Sequence, residues 1–159
     1  MNDSPPNERP PNEPATSWPA PLPGWALERL IVAAAEARER AYAPYSRFPV
    51  GAALWLPSGE IVVGCNVENA SYGATVCAER VAGCQAIAAG QRDWQALAVI
   101  SAGGCSPCGI CRQFLAEFQP KLTIVLADAE ALAGGPAAPR QILSLLDLFP
   151  ARFSSVNLP

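Results

Sequence analysis

Three cysteines, Cys77, Cys108 and Cys111, have the residue type and spacing of a metal site. Cys108 and Cys111 are three residues apart, so on a helix their sulfurs lie one turn apart on one face. Both sulfurs can then reach one tetrahedral ion at about 2.3 Å. Cys77 opens another predicted helix and supplies a third sulfur, and helix N-termini stabilise thiolates. Three protein ligands leave a fourth position for water, as in a catalytic zinc site.

Glu79 stands two residues beyond Cys77, in the first turn of the same predicted helix. Its carboxylate can face a water at the fourth position without binding the metal. The sequence has no histidine, which excludes serine-histidine hydrolases, cysteine-histidine proteases and two-histidine zinc peptidases. Acid–base chemistry therefore falls to a carboxylate, and Glu79 is the predicted proton carrier. The adjacent Arg80 can hydrogen-bond to sulfur and withdraw the excess negative charge of three thiolates on zinc.

The cysteines also allow a second interpretation. Residues 105–111 contain a C-x2-C-x2-C run, to which Cys77 or Cys84 could add the fourth ligand of a structural zinc or iron–sulfur site. A closed four-sulfur site leaves no task for Glu79, so the context of Cys77 favours the catalytic interpretation. Cys84 lies on the same helix face as Cys77, and Cys65 lies on a strand; both are predicted to be core residues.

Hydrophobic periodicity predicts the elements that position these residues. Helices are predicted over residues 25–41, 77–89, 108–117 and 143–148, and strands over residues 50–56, 61–68, 97–101 and 122–127. A turn at residues 57–60 makes the first two strands a hairpin, and a short fifth strand is predicted near Gln141. Strands that alternate with helices predict a three-layer α/β/α sandwich around a mixed sheet of about five strands.

Composition separates residues 1–24 from the rest of the chain. They hold 8 of the 17 prolines and almost nothing apolar except Trp18 and Leu22, so they are predicted to be a disordered tail without a part in the chemistry. Residues 25–159 are predicted to form one catalytic domain.

The charge balance disfavours a nucleic-acid partner, because 11 basic and 14 acidic residues give a net charge of −3 and Lys121 is the only lysine. No run of about 18 apolar residues predicts a membrane span. The first residues do not form a basic and then apolar leader, so we expect a cytoplasmic protein with reduced thiols.

Four motifs occur in order along the chain. They are Phe48-Pro49-Val50-Gly51-Ala52-Ala53, Asn66-Val67-Glu68-Asn69-Ala70-Ser71-Tyr72-Gly73, Cys77-Ala78-Glu79-Arg80 and Ser106-Pro107-Cys108-Gly109-Ile110-Cys111-Arg112-Gln113. Together they resemble the cytidine deaminase family, in particular its short-chain, three-cysteine branch, over roughly residues 25–153. The resemblance implies one zinc ion per subunit on the three cysteines, with Glu79 moving protons between water, ring N3 and the departing ammonia.

The resemblance also implies a set of substrate contacts. Asn66 and Glu68 would hold the ribose 3′-hydroxyl, and Phe48 would lie against the base and sugar. The backbone N–H of Ala78 would donate to the pyrimidine O2, and the Ser106 carbonyl would accept from the 4-amino group.

The C-terminal residues 148–153 resemble the family's ending, in which a phenylalanine completes a neighbouring subunit's pocket. Phe153 is that residue here. Tyr72 is a further implied substrate-binding residue and is expected near a subunit boundary, which implies a homotetramer with its sites at the interfaces. Arg112 and Gln113 are interpreted as structural.

The implied activity is hydrolytic deamination of cytidine and 2′-deoxycytidine to uridine and 2′-deoxyuridine, a step of pyrimidine salvage. Two other functions stay open: deamination of another amino-heterocycle, such as a nucleoside antibiotic, and a noncatalytic structural metal-binding module.

Overall fold

The computed structural model describes residues 21–132 and 140–154. Its helices and strands alternate along most of the chain. They are α1 (Gly24–Arg38), β1 (Gly51–Trp55), β2 (Ile61–Cys65), α2 (Ala78–Ala88), β3 (Ala96–Ser101), α3 (Gly109–Phe118), β4 (Thr123–Asp128), α4 (Ala129–Leu132), β5 (Arg140–Ser144) and α5 (Leu145–Leu148). Short 3-10 turns at Tyr72–Ala74 and Ala102–Gly104 precede α2 and α3.

The five strands form one mixed sheet in the order β2-β1-β3-β4-β5. Strands β3 and β4 are parallel, and the other three neighbouring pairs are antiparallel. The β1–β2 hairpin closes with Trp55 opposite Ile61, as the turn at residues 57–60 predicts. The predicted mixed sheet of about five strands is therefore confirmed.

Helices cover both faces of this sheet. Because side chains alternate along a strand, Leu54 of β1 points toward α2 and α3, whereas Ala53 points toward α1. On the α1 side, Leu30 packs in a core with Ala53 and Ile100; on the other side, Leu115 of α3 packs in a core with Leu54. The predicted three-layer sandwich is confirmed.

Helix α2 lies unusually close to the sheet because β2 carries a glycine beneath it. A Cβ built on Gly64 would lie 2.4 Å from the backbone nitrogen of Ala82 and 2.5 Å from the carbonyl oxygen of Ala78. Ala78, Ala82 and Ala86 form the buried face of the helix. This close packing fixes the height of the N-terminus of α2 above the sheet.

Some predicted boundaries differ from the structure. Leu143 and Ser144 belong to β5, opposite Ile124 and Thr123 of β4, so the last helix begins at Leu145 and not at residue 143. The Ser144 hydroxyl then caps α5 by accepting from the Leu146 N–H at 3.0 Å. The fifth strand near Gln141 is present.

Other differences concern helix ends, Cys84 and the ends of the chain. Helix α1 ends at Arg38, three residues before the predicted end, and β2 ends at Cys65 rather than at residue 68. Cys84 is exposed and is not a core residue, which corrects the prediction. The disordered tail is predicted over residues 1–24; residues 1–20 lie outside the described residues, and Gly24 already belongs to α1. Among those described, no helix combines the length and apolar character needed to cross a bilayer.

Candidate metal centre and active site

The three cysteine sulfurs meet at the N-termini of α2 and α3. Cys77 is the N-cap of α2, Cys108 is the N-cap of α3, and Cys111 lies buried in the first turn of α3. The Sγ atoms of Cys77 and Cys108 are 3.8 Å apart, and those of Cys108 and Cys111 are 3.6 Å apart. Tetrahedral zinc with Zn–S bonds of about 2.3 Å places its sulfurs about 3.8 Å apart. The donor set and its spacing therefore fit zinc.

No fourth sulfur completes this cluster within residues 21–132 and 140–154. There, the three cysteines are the one group of three or more candidate ligand atoms that lie within 4.8 Å of one another. Cys105 and Cys84 both lie outside that group, and both are exposed. The geometry thus favours a three-ligand site over the closed four-sulfur site that the C-x2-C-x2-C run allows.

Glu79 is buried beside the cluster without belonging to it. Only 4% of its surface is exposed, and it lies in the first turn of α2, two residues from Cys77. Burial raises the pKa of the Glu79 carboxyl above its ordinary value, and the negative charge of Cys77 adds to the rise. A carboxyl with a raised pKa exchanges protons more readily near neutral pH, which suits a general acid and base.

The Cys77 and Cys111 thiols shift each other's pKa in opposite directions. A hydrogen bond from Cys111 is the largest cause that lowers the pKa of the Cys77 thiol, and a hydrogen bond from Arg80 is a smaller one; together they bring it to about 5. The pKa of Cys111 is raised, because it donates to Cys77 and is itself buried. Cys77 therefore gives up its proton easily and Cys111 does so reluctantly, and a bound cation would take the place of the Cys111 proton.

The Arg80 side chain connects the cluster to the loop before α2. Its Nη2 donates to the Thr75 carbonyl at 3.0 Å. Its Nε is buried and has no acceptor in the described part of the chain. A buried N–H without a partner is rare, and here it belongs to a guanidinium that acts electrostatically on Cys77 and Cys111. This arrangement agrees with a cation that offsets thiolate charge.

The Asn66 side chain hydrogen-bonds to the backbone of the segment that leads into β1. Its Oδ1 accepts from the Val50 N–H at 2.8 Å, and its Nδ2 donates to the Phe48 carbonyl at 3.0 Å. Asn66 is 9% exposed, and Phe48 is half-buried. Asn66 therefore positions the backbone of Phe48, a residue that the sequence also singles out for substrate contact.

The Glu68 carboxylate organises the loop opposite. It accepts from the Tyr45 N–H at 2.8 Å and from the Ser46 N–H at 3.2 Å, and it also accepts from the Ser46 hydroxyl. The bond from that hydroxyl lowers the pKa of Glu68. A cavity of about 360 Å³ is lined by Glu68 and Tyr72 together with Tyr45, Ser46 and Thr75. Two of the predicted substrate residues thus share one cavity.

Residues 26–127 match the family model described as the cytidine and deoxycytidylate deaminase zinc-binding region. The chain belongs to this family. A cytidine deaminase from Halalkalibacterium halodurans is 42% identical over 133 residues, which cover 82% of this chain and 96% of that protein. A cytidine deaminase from Sporosarcina psychrophila is 53% identical over 94 residues, which cover 58% of this chain and 69% of that protein.

Comparison with solved structures also finds cytidine deaminases. The crystal structure of cytidine deaminase from Burkholderia pseudomallei superimposes with a TM-score of 0.71 at 46% sequence identity, covering 79% of this chain and 97% of that chain. The matched residues 26–127 contain Cys77, Glu79, Cys108 and Cys111. The site therefore combines a family zinc region with sulfur spacing suited to that ion.

The remaining predicted contacts lie at the starts of α2 and α3 and near the C-terminus. Ala78 is fully buried at the first position of α2, and Ser106 is exposed just before Cys108. Phe153 is 56% exposed, and its carbonyl accepts from the Gln113 side chain at 3.0 Å. Within the described residues, Phe48, Ser106 and Phe153 are not on the wall of the 360 Å³ cavity.

Sequence reasoning missed Ser46 and interpreted Arg112 only as structural, and both residues make several polar contacts. Ser46 bonds to Glu68 and also accepts from the Phe48 N–H at 3.0 Å, so it connects the two sides of the loop. Arg112 makes three hydrogen bonds around the start of α3. The motifs contain or adjoin both residues, but spacing alone carries no signal for their partners.

Proposed function

We propose that this chain catalyses zinc-dependent hydrolytic deamination of cytidine and 2′-deoxycytidine to uridine and 2′-deoxyuridine, with release of ammonia. The observation that carries the proposal is the three-sulfur cluster at two helix N-termini, with the buried Glu79 beside it. A structural metal module would not need a carboxyl with a raised pKa next to three metal ligands. Relatives named cytidine deaminase support the same reaction.

The metal supplies one part of the chemistry. Zinc, when bound by Cys77, Cys108 and Cys111, acts as a Lewis acid and lowers the pKa of a water ligand. The N-termini of α2 and α3 offset part of the negative charge of the thiolates, and the Arg80 guanidinium offsets a further part. A zinc ion held there would therefore be a stronger Lewis acid than one bound by three thiolates without these compensating charges.

Glu79 moves the protons in this proposal. Its carboxylate accepts a proton from the attacking water and passes it to ring N3 as the water oxygen adds at C4. It then takes the second proton from that oxygen and delivers it to the departing amino group, as the C4–N bond breaks and the C4 carbonyl forms. Atoms balance, because one water enters and one ammonia leaves. The buried position of Glu79 and its raised pKa support both roles, since the group must be a base first and an acid afterwards.

The proposal assigns the substrate contacts to the segments that flank β1 and β2 and to residues close in sequence to the metal ligands. Glu68 and Asn66 contact the ribose 3′-hydroxyl, Phe48 lies against the base, and Tyr72 lies on the cavity wall. The Ala78 N–H and the Ser106 carbonyl recognise O2 and the 4-amino group. Glu68 already accepts from two backbone N–H groups, so its orientation is fixed before a sugar arrives.

We also propose that the protein is a cytoplasmic homotetramer. Tyr72 and Phe153 are large side chains that are 77% and 56% exposed, and they are therefore available to a partner surface. Contact with a neighbouring subunit would cover them, and Phe153 would then complete that neighbour's pocket. Light scattering of the purified protein tests this assembly, and a monomer at assay concentration would contradict it.

The replacement of Glu79 by glutamine tests the reaction. Glu79→Gln keeps the shape of the side chain and should keep zinc and fold, but it removes the proton carrier, so turnover should fall by about 10² to 10⁴-fold. The loss of ultraviolet absorbance of a cytidine solution gives the rate, and metal analysis gives the zinc content. A variant that keeps a tenth of the parent's rate would place the proton carrier elsewhere.

Two controls separate the other functions. A parent protein that holds one zinc per chain but leaves cytidine and deoxycytidine unchanged would support the structural metal module. Turnover of a nucleoside antibiotic together with inactivity on cytidine would support the second deaminase function.

A further inference from the structure

The Arg112 side chain connects three parts of the chain around the start of α3. Its Nε donates to the Pro107 carbonyl at 2.7 Å, and its Nη2 donates to the Ser106 hydroxyl at 2.9 Å. Its Nη1 donates to the Leu148 carbonyl, at the end of α5, also at 2.9 Å. Pro107 immediately precedes Cys108, so two of these three bonds hold the two residues just before a metal ligand.

One further bond holds the start of this loop, where the Cys105 N–H donates to the Ser101 hydroxyl at 2.8 Å. Residues 105–108 belong to neither a helix nor a strand, and Pro107 has no N–H to donate. Cys108 has the extended backbone of an N-cap, and no side-chain hydrogen bond caps that helix end. The position of the Cys108 sulfur relative to Cys77 and Cys111 therefore depends on contacts made to the neighbouring loop residues, and Arg112 makes two of them.

We propose that Arg112 is a positioning residue for the metal site: it clamps the loop before Cys108 to α3 and to α5, and so holds the Cys108 sulfur at the spacing that zinc requires. The inference rests on the proposed function and deepens it. A planar guanidinium holds the N–H donors of its three nitrogens in fixed directions, whereas the donors of an ammonium group rotate. Without the clamp, water replaces Arg112 at the loop carbonyl, and the sulfur samples a wider range of positions.

Zinc release from the intact protein tests this proposal without any substrate. The zinc-loaded parent and the variants Arg112→Met, Arg112→Lys and Ser106→Ala are mixed with excess chromogenic chelator, well below their unfolding temperatures. Residues that hold metal ligands in place typically contribute 10 to 100-fold to metal affinity, so Arg112→Met should release zinc about 10 to 100-fold faster. Arg112→Lys and Ser106→Ala, which each keep some of the bonds, should show smaller increases.

Arg140→Met is the matched control. Arg140 also uses its guanidinium to join distant elements, because it pairs with Glu28 of α1 at 2.5 Å. Leu30 of α1 belongs to the core on the face of the sheet opposite α3. Arg140→Met should therefore lower the unfolding temperature and leave zinc release unchanged. A purely structural Arg112 would behave in the same way.

Arg112→Met that is folded and releases zinc at the parent's rate overturns the proposal. Should that variant fail to fold, Arg112→Lys and Ser106→Ala decide, and release at the parent's rate from both has the same meaning. The outcome is distinguishable from a failure of the proposed function. A parent that holds zinc without deaminating cytidine refutes the reaction but leaves the role of Arg112 to be judged from zinc release alone.

Discussion

Replacing Gly64 by alanine should displace the metal-bearing end of α2. The new Cβ would lie 2.4 Å from the Ala82 nitrogen and 2.5 Å from the Ala78 oxygen, whereas ordinary contacts begin near 3.4 Å, so strand and helix must separate by about 1 Å. Both contacts are with backbone atoms, which cannot rotate away. The helix must move as a unit and carry Cys77 and Glu79 with it.

The size of this displacement sets the expected effects. Zinc–ligand distances tolerate about 0.2 Å, so a movement of about 1 Å by Cys77 relative to the two cysteines of α3 should weaken zinc binding. A misplacement of about 1 Å also lowers turnover about 10²-fold, even with zinc supplied in excess. Overpacking of this kind destabilises a fold by about 1–3 kcal/mol.

Zinc content after dialysis, turnover of cytidine and thermal unfolding together measure these effects. Gly83→Ala is the control on the same helix, because its Cβ would meet the ring edge of Phe114 at 2.4 Å, and a side chain can give way. Gly83→Ala should keep zinc and turnover even if it lowers stability. Full zinc content and turnover in Gly64→Ala would refute the argument that packing on β2 sets the position of the site.

Two further predictions concern the pocket and the buried carboxyl. Glu68→Ala and Asn66→Ala should impair cytidine turnover far more than turnover of free cytosine, and equal losses on both substrates would remove the sugar contact. Asn66→Ala should also destabilise the fold by about 1–3 kcal/mol, measured by denaturant unfolding, because the Val50 N–H and the Phe48 carbonyl lose their partner. Glu79 has a raised pKa in the folded, zinc-free protein, so the stability of that protein falls as pH rises from the ordinary carboxyl pKa through the raised value. Zinc-free Glu79→Gln should therefore be more stable than the zinc-free parent at neutral pH and should lose this advantage in acid; a constant difference across pH would contradict the shift.

The metal residues could be predicted because their signal is local. Cys108 and Cys111 occupy the N-cap and first turn of one helix, and Cys77 and Glu79 occupy the same positions on another. Helical spacing and N-terminal electrostatics act over a few residues, so they can be read directly from the sequence. The contacts of Glu68 with Tyr45 and Ser46 join residues more than 20 positions apart, and nothing local encodes them.

The errors have physical causes as well. Leu143 is as apolar as the residues of the helix that follows, and pairing with β4 decides that Leu143 and Ser144 end a strand. Cys84 was placed in the core because it shares a helix face with Cys77. The buried face of α2 is instead the alanine row that packs on Gly64, and Cys84 lies about 200° around the helix from Ala82.

The direction of the strands explains why the two helix N-termini meet. Strands β2 and β3 both pair antiparallel with β1, so they run parallel to each other and end at the same edge of the sheet. Helix α2 is the first α-helix after β2 and α3 is the first after β3, and both pack on the same face, so both begin at that edge. One intervening strand separates β2 from β3 by about 10 Å, which is the distance between axes of packed helices. The topology thus brings together the sulfurs of Cys77 and Cys108, which are 31 residues apart in sequence, and sets their helices at packing distance. The packing at Gly64 and the hydrogen bonds of Arg112 then set the sulfur positions to within the ångström that zinc binding requires.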